Sequence, residues 1–263
     1  YSTQSLNICN YLAEKNNVHF MAHNYPGLTL PPNAVTLADG IKFKFAMSGN
    51  GREPYCKDLI TQRIGENKAD VFGILLDSFM CYPWLQDINF LNARSLFYFP
   101  SDGGGGLPRD CEKILQKVNV PVAMAKYGQK QVKDYYNINC EYIPHGVNLN
   151  HFKYMTLEER DKFKASKGLG DKFVVGVVSR NQGRKMLDRT IKAFSMFAKD
   201  HKNAILLFHT DPYDLAAVFD MNRLIARYGI QNRVLFTGMR FFNPFNYAQL
   251  NDVYNVMDVF LLT

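Results

Sequence analysis

Phe173-Val174-Val175-Gly176-Val177-Val178-Ser179-Arg180-Asn181-Gln182-Gly183-Arg184-Lys185 is the stretch on which the fold turns. Its first half is apolar and rich in valine, of strand length, with no polar alternation. That pattern belongs to a strand covered on both faces. Its second half is a loop with three cations and two side-chain amides. A helix is expected to open at about Met186, because Leu187, Ile191, Phe194 and Ala198 recur at helical spacing. Buried strand, polar loop and amphipathic helix together form the unit from which parallel α/β sheets are built.

The same alternation continues in both directions. Downstream, strands are expected at residues 204–208, 233–236 and 258–262, and helices at 214–228 and 247–257. The last of these strands is expected to lack a partner. Upstream, Leu6, Cys9, Leu12 and Ala13 mark an opening helix, with Ser2 or Thr3 as its cap. Strands are expected at residues 18–22, 69–76, 95–99, 121–125 and 140–143. The run 69–76 reads as buried on both faces, and Pro100 ends the strand before it. Cys56, Leu59, Ile60 and Ile64 mark a second helix, and further helices are expected at 109–118 and 127–136. Residues 148–170 break the rhythm. They are polar and charged and read as a linker with one short helix.

The expected architecture is therefore α/β, with two Rossmann-like parallel-sheet domains facing a cleft. Residues 1–147 form the first, 148–170 the linker and 171–263 the second. Open parallel sheets bind ligands beyond the carboxyl ends of their strands. That rule selects Asp77, Ser78 and Asp102, the turn Pro144-His145-Gly146-Val147, the loop 180–185, His209-Thr210-Asp211, and Gly238-Met239-Arg240.

Composition narrows the function. The chain has 263 residues, room for one large or two medium domains. A hydrophobic fraction of 47% provides a substantial core. No run approaches the ~18 apolar residues of a membrane span. The five cysteines are scattered, with no C-x-x-C pair. They read as buried free thiols of a reducing compartment, which implies a cytoplasmic protein and no structural zinc or other metal. The net charge of +7 favours anionic ligands. The basic residues are dispersed, so nucleic acid is not an expected partner.

Two segments carry the chemistry. In Arg180-Asn181-Gln182-Gly183-Arg184-Lys185, cations stand beside a helix N-terminus, where free backbone N–H groups and the helix dipole also attract anions. Three cations match a diphosphate better than a carboxylate; a solvated basic loop is the competing reading. In Ile143-Pro144-His145-Gly146-Val147, proline and glycine set a tight turn at a strand end. His145 could donate to a ligand oxygen or serve only the turn. The run 103–106 is all glycine but lacks the Lys-Ser/Thr of a P-loop. His209-Thr210-Asp211-Pro212 offers ligand contacts or simply starts a turn.

Taken together, these motifs resemble the family 4 retaining glycosyltransferases of the glycosyltransferase-B fold. The resemblance rests on Ile143-Pro144-His145-Gly146-Val147, a charged stretch, a strand ending in Arg180 with Lys185 five residues later, and an amphipathic helix containing Ala193-Phe194. It extends to Arg233-Val234-Leu235-Phe236-Thr237-Gly238 and to Asp258-Val259, and so covers nearly the whole chain. The loop Arg-Asn-Gln-Gly-Arg-Lys is similar to that of a subgroup from microbes and large viruses. The start, Tyr1-Ser2-Thr3-Gln4-Ser5, resembles the end of the family's glycine-rich loop after its first strand. The resemblance implies that this first strand lies before Tyr1. It also implies that a donor motif with two glutamates lies beyond Thr263, so that this stretch alone transfers no sugar.

By that resemblance, residues 1–147 would be the acceptor side and 171–263 the start of the nucleotide-sugar-binding domain. Arg180 and Lys185 would hold the donor diphosphate. Ser2, Thr3, His145, Gly146, Asn181, His209, Thr210, Met239 and Arg240 would contact donor or acceptor. The family's active-site histidine has no match, and Asp102 would stand in for it as a catalytic group; a turn or cap aspartate is the other reading. The implied reaction moves a hexose-like sugar, with retention, from a nucleoside diphosphate to an acceptor hydroxyl on a glycan, glycolipid or glycoprotein. No cofactor is implied, and peripheral membrane contact is left open. The rival readings are a sugar-nucleotide epimerase on the same fold and a non-catalytic nucleotide-sugar binding module.

Overall fold

The computed structural model describes residues 2–22, 44–47, 57–85, 90, 92–101, 109–215, 217–240 and 243–262. The chain divides into two units, Tyr1–Gly146 and Val147–Thr263. The first runs α1 (Ser2–Leu12), β1 (His19–Ala22), β2 (Lys44–Met47), α2 (Lys57–Glu66), β3 (Val71–Leu75), α3 (Ser78–Leu85), β4 (Arg94–Phe99), α4 (Arg109–Lys117), β5 (Val120–Ala123), α5 (Lys126–Tyr136) and β6 (Glu141–Tyr142). β1 and β2 form a parallel pair, and β3 to β6 form a parallel sheet in sequence order.

Alternation along β4 sorts its side chains. Phe97 and Phe99 join Ile74 in the core, against Cys81 and Leu85 of α3 and Cys111, Ile114 and Leu115 of α4. Tyr98 points the other way and donates its hydroxyl to the Ile143 carbonyl at 2.8 Å. Two expectations need correction. α1 begins at Ser2, so Ser2 and Thr3 lie in its first turn rather than both being candidates to cap it. β3 ends its sheet among the described residues, and Val71 is 62% exposed. A continuous apolar run does not by itself distinguish an edge strand from a central one.

The second unit runs α6 (Leu157–Ser166), β7 (Phe173–Val178), α7 (Leu187–Asp200), β8 (Ala204–His209), α8 (Met221–Arg227), β9 (Val234–Phe236), α9 (Tyr247–Asn255) and β10 (Val259–Phe260). Its parallel sheet has the order β10-β7-β8-β9. The valine-rich β7 and the wholly buried β8 are its centre. Their alternation feeds two cores. Val175, Val177, Leu206 and Phe208 pack against Leu187, Ile191, Phe194 and Ala198 of α7 and Met221 and Ile225 of α8. Val174, Ile205 and Leu207 pack against Leu169 and against Val253, Val256 and Met257 in and after α9. Gly176 is needed on that second face: a Cβ there would lie 2.1 Å from the Met257 sulfur.

The final strand does have a partner, contrary to expectation, since β10 pairs in parallel with β7. α8 starts later than the sequence pattern suggests. Asp220 caps it by accepting from the Arg223 N–H at 2.9 Å, so 214, 215 and 217–219 lie before the helix. Within 148–170, α6 opens on a capping box of Thr156 and Glu159. The preceding turn is tied to α9, where Asn251 accepts from the Lys153 N–H and Asn255 from the Met155 N–H, each at 2.9 Å. Arg160 and Lys164 both reach Asp258.

Candidate functional site

A polar cluster stands at the carboxyl edge of the second unit's sheet, after β7, β8 and β9. The β7 loop folds into a 3-10 turn, Gly183–Lys185, that runs straight into α7. The joint between them is Met186, which sits in the left-handed region at φ 44°. Arg184 is exposed and Lys185 half-buried, at the last position of the turn. The 14-residue α7 therefore presents its N-terminus directly behind two cations.

Arg180 leaves the strand end and grips Asp214 with two bonds, Nε to Oδ2 at 2.5 Å and Nη2 to Oδ1 at 3.1 Å. The bond to Asp214 raises the guanidinium pKa further. Asn181 is fully buried, and its amide binds both backbone groups of Phe219, at 2.7 and 3.1 Å. It thus holds the β7 loop against the β8 loop.

His209 ends β8, and Thr210 follows it. The His209 Nδ1 lies 2.9 Å from the Thr237 hydroxyl, and its ring meets Phe245 edge-on. Burial lowers the His209 pKa, so the ring is neutral near pH 7. Thr210 is wholly buried, and its hydroxyl has no hydrogen-bond partner. The same holds for the hydroxyls of Ser179 and Thr190. Ser179 follows Val178, which is paired with His209, so Ser179 and Thr210 stand side by side on neighbouring strand ends. Thr190 is in the first turn of α7. Buried hydroxyls without partners are rare, and here two stand at the ends of β7 and β8 and the third in the first turn of the helix after the cationic loop.

The β9 loop adds Arg240. Its guanidinium lies 3.5 Å from the Asp211 carboxylate and 4.9 Å above the Tyr213 ring. Met239 beside it is half-buried. Asp211 also accepts from the Tyr213 N–H at 2.9 Å, which shapes the β8 loop. Arg180, Asn181, Lys185, His209, Thr210, Met239 and Arg240 thus share one edge of one unit.

In the first unit, His145 is exposed and meets the Tyr98 ring edge-on, with desolvation lowering its pKa. The Gly146 carbonyl accepts from Gln4 Nε2 at 2.9 Å, which brings the start of α1, with Ser2 and Thr3, to this turn. Asp102 and the glycine run lie outside the described residues. The free thiols Cys81 and Cys111 are buried, and Cys9 and Cys140 are half-buried. No group of His, Cys, Asp or Glu among the described residues could hold a metal ion. No helix among them is long and apolar enough to cross a membrane.

Sequence reading missed Asp214, Ser179 and Thr190 as parts of the cluster. Asp214 lies 34 residues from Arg180, and no local pattern links them. Ser179 could have been found, since it directly follows the buried strand.

No family model and no curated protein matches the chain. Solved structures do resemble it. A glycosyltransferase from Rickettsia africae ESF-5 is 18% identical, with a TM-score of 0.67, and the match covers 99% of this chain and 68% of that one. Sucrose-phosphate synthase from Thermosynechococcus elongatus is 14% identical, with a TM-score of 0.72 and coverage of 97% and 67%. Anabaena HepE, solved with UDP-glucose, is 15% identical, with a TM-score of 0.57 and coverage of 85% and 61%. At such identities it is the fold that is shared. The two parallel-sheet units have the architecture of the glycosyltransferase-B fold.

Proposed function

We propose that the chain belongs to a glycosyltransferase that moves a sugar from a nucleoside-diphosphate sugar to an acceptor hydroxyl, with retention. The observation that supports it is the carboxyl edge of the second sheet. There a cationic loop leads into a helix N-terminus, beside the partnerless buried hydroxyls of Ser179 and Thr210. They do so on a fold that HepE was solved with UDP-glucose on.

Loss of a diphosphate leaving group places negative charge on the phosphates. Fixed cations and N–H dipoles stabilise that charge more in the transition state than in the bound donor. In this reading Arg180 and Lys185 act there without a metal or cofactor. Ser179 and Thr210 donate to donor oxygens. Met239 and Arg240, on the β9 loop, meet the nucleobase. The departing phosphate takes the acceptor proton, so no protein base is required. The acceptor, a glycan, glycolipid or glycoprotein, belongs on the first unit near His145 and Gly146, with Asp102 as a candidate catalytic group.

Titrating UDP and GDP against variants tests the site. Removing one bond to a charged group costs roughly 1.5–3 kcal/mol, so Lys185→Ala should weaken binding about ten- to a hundredfold. Arg184→Ala should do less, because Arg184 is exposed. If neither substitution matters, the loop is only a basic surface. Product analysis with labelled UDP- and GDP-sugars then separates transfer from epimerisation and from binding alone.

A further inference from the structure

Resting on the reading that residues 179–186 hold the donor diphosphate, we propose that Asp214 is a positioning residue. It fixes the guanidinium plane of Arg180 so that one edge of it meets the phosphates.

Exposure separates the two partners. The Asp214 side chain is 5% exposed, whereas that of Arg180 is 37% exposed. A ligand arriving from solvent meets the arginine and not the aspartate. Asp214 binds Nε and Nη2, which is one fork of the guanidinium. The group is rigid and planar, so holding one fork sets the direction of the Nη1–Nη2 fork. A buried carboxylate is stable only when paired, which makes Arg180 costly to remove from this pose.

The loop that carries Asp214 is itself immobilised at several points. Asp211 shapes its start through the Tyr213 N–H, and the Ala217 N–H binds the Asp214 carbonyl at 2.8 Å. Its far end is held by the paired bonds between Asn181 and Phe219 and by the Val218 N–H on the Asn181 carbonyl at 3.3 Å. Two successive residues of the β7 loop, Arg180 and Asn181, therefore fasten to the middle and the far end of one β8 loop. Asn181 supplies the mechanical link, which leaves the Arg180–Asp214 pair to set orientation.

The test uses isothermal titration of the 263-residue chain with UDP, GDP and inorganic pyrophosphate, alongside thermal melts. Asp214→Asn should lower affinity for all three about tenfold, as expected for loss of one oriented charged contact. Asp214→Glu should recover part of that loss. Combined with Arg180→Ala, Asp214→Asn should add nothing further, since both act through one guanidinium. A melting shift in Asp214→Asn without any change in affinity would reduce the pair to a loop fastener and overturn the inference. A gain in affinity would also overturn it, by showing that Asp214 competes with phosphate. If Arg180→Ala and Lys185→Ala both bind like the parent, it is the diphosphate reading that fails. If Asp214→Asn does not fold, Asp214→Glu must still show reduced affinity that disappears in the Arg180→Ala background.

Discussion

Met186 joins the cationic turn to α7 at φ 44°. A side chain in the left-handed region costs roughly 1–2 kcal/mol, and glycine escapes it. The looser unfolded chain of a glycine variant cancels part of that gain. Met186→Gly should therefore raise stability by about 0.5–1 kcal/mol in urea melts. It should also weaken UDP binding, because the turn that places Lys185 loses its fixed joint. Gly176 gives the opposite sign. Its missing Cβ leaves room for buried Met257, so Gly176→Ala should cost about 1–3 kcal/mol by overpacking. The site's main cations, Arg180 and Lys185, were legible because strand, loop and helix are contiguous there. The carboxylate that holds Arg180 was not. Asp214 becomes a neighbour of the β7 loop only through the pairing of β7 with β8, and nothing at residue range encodes that pairing.

At the scale of elements, α6 is bound to the sheet by charge. Asp258 accepts from Lys164 Nζ and from the Val174 N–H, each at 2.7 Å, and from Arg160. Burial alone would raise its pKa, but the hydrogen bonds from Lys164, Val174 and Arg160 outweigh that and hold it below the usual value. The resulting stabilisation is complete above the unfolded-state pKa of about 3.9 and is lost as pH falls through the lower folded value. Urea melts should show the parent losing stability on acidification below about pH 4. Asp258→Asn should cost roughly 2–4 kcal/mol at pH 7 and have a flatter acid limb. A parent and variant with parallel acid limbs would contradict this. The elements themselves were readable from apolar spacing, as α7 and β8 show. Edge or centre was not, as β3 shows, because an apolar run records no neighbours. The start of α8 was misplaced because Asp220, not the first apolar residue, sets it.

At the scale of the whole molecule, each unit has its own core. Ile74, Phe97, Phe99 and Leu115 belong to one, and Leu187, Ile191, Leu206 and Phe208 to the other. The loops carrying Arg180, Lys185, Asp214 and Arg240 all lie within Val147–Thr263. That segment, made alone, should fold cooperatively and bind UDP within about threefold of the parent chain, a difference below 0.7 kcal/mol. Circular dichroism and calorimetry decide it. An unfolded segment would mean that the two cores depend on each other.

The sheet order of the second unit carries a kinetic consequence. β7 and β8 are joined through α7 over a short stretch of chain, whereas Asp258 meets Val174 across 84 residues. Closing the longer loop costs more entropy before any contact rewards it. The β7–α7–β8 segment should therefore nucleate, and β10 should dock last. Native-state hydrogen exchange should find the amides of Leu206 and Leu207 among the slowest. The Leu261 amide, which is bonded to the Gly176 carbonyl at 2.8 Å, should open through a smaller, sub-global event.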